Sequence, residues 1–123
     1  MSPNDLAFLC PCDECKKNPN RPGLSPPMFA LIRSISTLMI EELEFTSGRR
    51  CDTHNAAVGG SVGSRHLSGE AVDIKTGGNA FLARRIIDAA VLERAPCIEV
   101  CPFHIHVDVR DMGRRILLMG KSG

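Results

Sequence analysis

The segment His104-Ile105-His106-Val107-Asp108-Val109 alternates polar and apolar residues, a period of two that suits an extended strand with one face in a core. On such a strand Ile105, Val107 and Val109 point inward, and His104, His106 and Asp108 share the opposite face. A second short run, Ala71-Val72-Asp73-Ile74, reads the same way, with Val72 and Ile74 buried and Asp73 turned outward. If the two strands pair, Asp73 and His106 converge from neighbouring strands, and His66 arrives from the Gly/Ser-rich loop that precedes Asp73. Two imidazoles and one carboxylate are the donor set of an open zinc site. A structural zinc is usually closed by four protein ligands, whereas a hydrolytic one keeps a position for water, so this set points to chemistry rather than scaffolding.

A His-x-His strand is also what a half-exposed structural strand looks like, and a single His is most often a surface or hydrogen-bonded residue. The distribution argues for the metal. Of the 4 His in the chain, His66, His104 and His106 fall in the stretches Ser64 to Ile74 and Phe103 to Val109, each of which also carries a carboxylate. The remaining one, His54, lies beside Asn55 and is read as a structural loop residue.

A chain of 123 residues, 43% of them hydrophobic, is ordinarily one domain with one core. Residues 1–123 are accordingly expected to form a single domain, with residues 1–24 as a Cys/Pro-rich segment of low helical content wrapped on it. Net charge is +1, the basic residues are dispersed, Trp and Tyr are absent, and the 5 Phe do not interleave with Lys/Arg clusters, so a nucleic-acid surface is not expected. No apolar run approaches the roughly 20 residues of a spanning helix. The opening Met1-Ser2-Pro3-Asn4-Asp5 lacks the basic start and long apolar stretch of a secretion signal. The expected location on these grounds is cytoplasmic.

Two amphipathic helices are predicted. Ser25 before Pro26 is a helix start, and Met28, Phe29, Leu31, Ile32, Ile35, Leu38, Met39 and Leu43 recur at three-four spacing toward an end near Glu44. Phe45 to Gly63 reads as a short extended segment followed by a loop. Gly77-Gly78-Asn79 then breaks the Asp73 strand and caps a helix whose buried stripe is Phe81, Leu82, Ile86, Ile87, Ala90 and Val91, with Pro96 excluding its continuation. Asp111-Met112-Gly113 is a turn into a last antiparallel strand, Arg114 to Met119.

Six cysteines in so short a chain need a role. Cys10, Cys12 and Cys15 are crowded together, Cys51 opens the loop before the site, and Cys97 and Cys101 flank Glu99. Disulfides, a structural zinc on Cys10, Cys12, Cys15 and Cys51, and free thiols are all compatible with the spacing.

The stretches Thr46-Ser47-Gly48-Arg49-Arg50, Cys51-Asp52-Thr53-His54-Asn55-Ala56-Ala57-Val58-Gly59-Gly60, Ser64-Arg65-His66, Gly69-Glu70-Ala71-Val72-Asp73-Ile74 and His104-Ile105-His106-Val107-Asp108 together carry a resemblance. From about Phe45 to Arg110 the chain resembles the zinc D-alanyl-D-alanine carboxypeptidases and dipeptidases, the phage L-alanyl-D-glutamate endolysins, and the hedgehog signalling domain that shares their fold. The resemblance implies that His66, Asp73 and His106 are zinc ligands. It implies that Arg50 grips a substrate carboxylate or carbonyl, and that His104 faces the site and helps stabilise the oxyanion. Many of these relatives place an acidic residue three positions before the last ligand, where this chain has Phe103. Glu99, seven residues before His106, is then the first choice for general base, and its bland alternative is an exposed strand carboxylate. Asp108 is the reserve, or a partner that orients His106 or an arginine.

The expected fold is α+β, a small, mainly antiparallel sheet with two main helices on one face and the metal on the other. The expected activity is zinc-dependent hydrolysis of peptide bonds in peptidoglycan stem peptides, by a monomer that needs neither nucleic acid nor membrane, and the endolysin resemblance implies a phage-encoded protein released to the cell wall as the alternative to a cytoplasmic one. The alternative is a non-catalytic zinc-containing binding module, as in the hedgehog branch.

Overall fold

The computed structural model describes residues 1–110 and the backbone of Ile116–Met119. After a 3-10 turn at Leu6–Phe8, the elements run α1 (Asp13–Lys16), α2 (Pro26–Leu38), β1 (Phe45–Ser47) and α3 (Asp52–Ala57). A second 3-10 turn at Arg65–Ser68 leads into β2 (Ala71–Lys75), α4 (Ala80–Leu92), β3 (Cys97–Val100), β4 (His104–Asp108) and β5 (Ile116–Met119). The strands form one sheet in the order β1-β2-β4-β3-β5. The fold is α+β, as expected, and the β1, β2, β4 and β3 pairings are antiparallel.

Both main helices start where local chemistry starts them. The Ser25 side chain accepts from the Met28 amide, with proline in the first turn of α2, and the Asn79 side chain accepts from the Phe81 and Leu82 amides at the start of α4. Their apolar faces bury Met28, Leu31, Ile32, Ile35, Ile86, Ala89 and Ala90 against Val72, Ile74, Ile98, Ile105 and Val107 of the sheet. Because side chains alternate along a strand, every residue between these core positions points away from the helices. That alternation puts Asp73, His106 and Asp108 on the other face.

Several expectations are corrected. Helix α2 ends at Leu38, not near Glu44, with Met39 already extended. Extending it would stack Glu41, Glu42 and Glu44 on the negative end of the helix dipole. Met39 and Leu43 still pack against the core from beyond the helix end, and Glu41 pairs instead with Arg85 of α4. Residues 45–63 are not all loop beyond β1, since α3 forms there and contains His54. In α4 the buried stripe shifts to Ile86, Ala89 and Ala90, leaving Phe81 80% and Val91 46% exposed. Strand β5 pairs parallel to β3 rather than antiparallel to a neighbour. Strand β4 already has β2 and β3 on its two edges, so β5 adds to the free edge of β3, which like β5 runs opposite to β4. Arg114 and Arg115, the predicted start of that strand, and the 111–113 turn lie outside the described residues.

The N-terminal segment is held by backbone contacts. Leu24 donates to the Pro3 carbonyl at 2.9 Å, Arg49 to that of Phe8 at 2.9 Å, and the Phe8 ring packs against Phe45 with centroids 5.0 Å apart. At Gly48 a side chain is excluded, because a Cβ there would fall 2.5 Å from the Phe8 Cα. No helix among the described residues is long and apolar enough to cross a membrane.

Candidate metal centre

Strand register builds the centre. Asp73 of β2 lies opposite His106 of β4, and His106 lies opposite Glu99 of β3, so three titratable residues form one row across three strands. Cross-strand partners place their Cβ atoms about 5 Å apart on the same face. His66 reaches this row from the 3-10 turn. Ser64 caps that turn by accepting from the His66 amide, and Gly69 ends it at φ 72°, where a Cβ would also meet the Gly23 carbonyl oxygen at 2.5 Å. The turn therefore closes tightly enough to point the imidazole back over Asp73.

His66, Asp73 and His106 are all buried, and one donor atom from each lies within 4.8 Å of the others. Their hydrogen-bond chemistry matches the donor set a metal requires. His66 Nδ1 is 2.7 Å from the Gly48 carbonyl oxygen. A carbonyl can only accept, so Nδ1 carries the proton and Nε2 presents a lone pair. That buried Nε2 has no hydrogen-bond partner among the described residues, although Asp73 Oδ1 stands 3.3 Å away. His106 Nε2 is 2.8 Å from Asp108 Oδ2 and Nδ1 is 3.0 Å from Asp73 Oδ1. With Nε2–H given to Asp108, a neutral ring would aim its Nδ1 lone pair at a carboxylate oxygen, an arrangement that calls for a proton or a cation in between. The residues fit a divalent cation, and each imidazole is fixed by an acceptor on its far nitrogen, as metal-binding histidines commonly are.

In the metal-free protein the proton takes that place. Burial alone would lower the His106 pKa, but hydrogen bonds and charge from Asp108 and Asp73 outweigh it and raise it to about 9. Burial likewise opposes ionisation of Asp73 and Asp108, yet His106 and His66 hold Asp73, and His106 and Arg110 hold Asp108, well below the usual carboxylate range.

The other predicted site residues fall around this cluster. His104, on the same face of β4, brings Nε2 to 3.8 Å from Asp73 Oδ2. Glu99 is half-buried at the far side of His106. Asp108 is fully buried and gripped by Arg110 through Nε at 2.8 Å and Nη2 at 2.6 Å. Arg50 is only 7% exposed, with Nε donating to Ser47 Oγ at 3.1 Å, Nη1 to Asn55 Oδ1 at 3.2 Å and Nη2 directed at Asp73 Oδ2 at 3.5 Å. His54 stays outside the cluster, in α3.

Sequence reading missed four residues that organise the site. Gly48 contributes a carbonyl and Ser47 a hydroxyl, roles that residue type does not reveal. Arg110 follows Asp108 by two residues, just past the end of β4, and that spacing is a usable signal for a carboxylate clamp. Asn55 is buried, accepts from Arg50 and donates to the Ser61 carbonyl at 2.7 Å, so it ties α3 to the loop that leads to His66.

A buried His-Asp-His donor set on the open face of a small α+β sheet is a candidate site for a metal ion. Residues 8–108 match the model of the family described as Peptidase M15, and the chain belongs to that family of metallopeptidases. No curated protein matches the chain.

Proposed function

We propose that this chain is a zinc-dependent peptidase acting on the stem peptides of peptidoglycan, with His66, Asp73 and His106 as the metal ligands. The observation that carries the reading is the convergence of His66 Nε2 and His106 Nδ1 on Asp73. Two His and one carboxylate leave zinc a position for water and substrate, and family membership supplies the reaction class. Zinc bound there supplies Lewis acidity toward the scissile carbonyl and the attacking water.

The chain's own residues do the rest. Glu99, opposite His106 in register, accepts the proton of the attacking water and returns it to the departing amine. His104, beside Asp73 at the rim, donates to the oxygen on which negative charge develops. Asp108 and Arg110 hold the His106 ring. In Arg50 the grips of Ser47 and Asn55 fix the guanidinium plane, and Nη2, its longest contact, is the edge we assign to a peptide carboxylate or carbonyl. Substrates with a free C-terminus or an acidic stem residue suit that edge.

Phe103 occupies the position three before His106 where many relatives carry an acid, and this favours a second reading, a zinc-holding binding module. Incubation of the zinc-loaded protein with a purified pentapeptide stem and with intact peptidoglycan decides between them. Release of D-alanine marks a carboxypeptidase and new amino groups without it mark an endopeptidase. Full zinc occupancy with no hydrolysis of either substrate contradicts the peptidase reading.

A further inference from the structure

Away from the sheet face, Cys10, Cys12, Cys15 and Cys51 bring their four sulfurs within 4.8 Å of one another. A tetrahedral zinc with Zn–S bonds of about 2.3 Å has sulfur–sulfur edges of about 3.8 Å, and the Cys12 and Cys51 sulfurs are 3.6 Å apart. Disulfides would instead draw the sulfurs together in pairs at about 2.05 Å. Two backbone amides already point at these sulfurs, Cys51 N to Cys10 Sγ and His54 N to Cys51 Sγ, both at 3.4 Å. Such amide donors are what ligating thiolates accept. Four thiolates around a divalent cation leave net negative charge, and Arg21, Arg49 and Arg50 line the same pocket as Cys10, Cys15 and Cys51.

We propose that these four cysteines form a second, structural zinc site that ties the N-terminal segment to the strap running from Gly48 to Cys51. The strap matters because it carries the carbonyl that fixes His66 and the guanidinium that reaches Asp73. Cys12 caps α1 and Cys51 caps α3, so one ion joins two short helices that bury little apolar surface of their own. It also closes a loop of 41 residues between Cys10 and Cys51, which restricts the unfolded chain more than a short clip would. The site is independent of whether the His66 cluster is catalytic.

The test uses the full chain, with zinc replaced by cobalt. The wild type should hold two metals per chain by elemental analysis and show sulfur-to-cobalt charge-transfer absorption, which an imidazole–carboxylate site lacks. His66→Ala should hold one metal and keep that absorption in full. Cys12→Ser, at a half-buried position, should lose the absorption and retain one metal. A thiol reagent applied to the wild type should modify these cysteines at least 10-fold faster once a chelator is present. The proposal is overturned if His66→Ala shows no thiolate absorption, if thiol reactivity is unchanged by the chelator, or if mass analysis of the unreduced protein finds the four cysteines paired in disulfides.

Discussion

His106 gives its Nε2 proton to Asp108 at 2.8 Å, and this bond decides which nitrogen faces Asp73. Asp108 is in turn held through both its oxygens by Arg110, so the ring is oriented by a two-residue chain rather than by one contact. Asp108→Asn keeps the shape but removes the charge and one acceptor. Zinc affinity should fall about 10- to 100-fold, the usual effect of losing such a supporting group, with the fold intact. A competition titration against a zinc-binding dye measures it, and unchanged affinity would mean that Asp108 serves Arg110 alone.

Glu99 is the proposed base because β3 sets it opposite His106, on the face that holds the ligands. Glu99→Gln should retain zinc and slow hydrolysis of a stem peptide by about 100-fold or more, the lower end of what a positioned base contributes. Single-turnover rates for this variant and for Asp108→Asn separate the two candidates. A larger loss in Asp108→Asn, with Glu99→Gln near the wild type, reverses the assignment.

Arg50→Lys keeps the charge near Asp73 but cannot also reach Ser47 and Asn55, since one ammonium replaces a planar fork. Turnover of a carboxylate-bearing peptide should drop while zinc content holds. Each lost hydrogen bond should lower stability by about 1 kcal/mol, and denaturant melts and kcat/KM together test this. Unchanged kcat/KM with lowered stability would show that Arg50 braces the strap without touching substrate.

The stability of the metal-free protein should depend on pH in a defined way. The folded-state pKa of His106 is raised from 6.5 to about 9, so its contribution is fully present below 6.5 and is lost as pH rises through about 9. Asp73 and Asp108 are shifted down from 3.8, so theirs is present above that value and lost as pH falls toward the lowered one. Urea midpoints in chelator should therefore decline from 6.5 to 9. Added zinc should abolish that decline, because the ligand form of His106 has no proton on Nδ1. A flat chelator profile over the same range would contradict the His106 assignment.

Much of the centre could be read before folding because strand alternation is local. Val72, Ile74, Ile105 and Val107 mark the core face, and that alone turns Asp73 and His106 outward and makes their pairing a question of register. The Ser25 and Asn79 caps were legible for the same reason. What escaped depends on distant partners. The parallel pairing of β5 depends on its taking the edge of β3 once β4 has both edges filled, and the end of α2 on helix polarity together with the Arg85 partner of Glu41. The burial of Arg50 follows from Ser47, Asn55 and Asp73 closing around it. The Gly48 carbonyl leaves no mark in the sequence at all, since every residue has one.

The most direct test of the central claim is a crystal structure of the zinc-loaded protein with anomalous data collected on both sides of the zinc edge. A zinc peak among His66 Nε2, Asp73 and His106 Nδ1, absent from crystals of His106→Ala, is the predicted result. Anomalous density confined to other residues, with the three side chains hydrogen-bonded to one another, would contradict it.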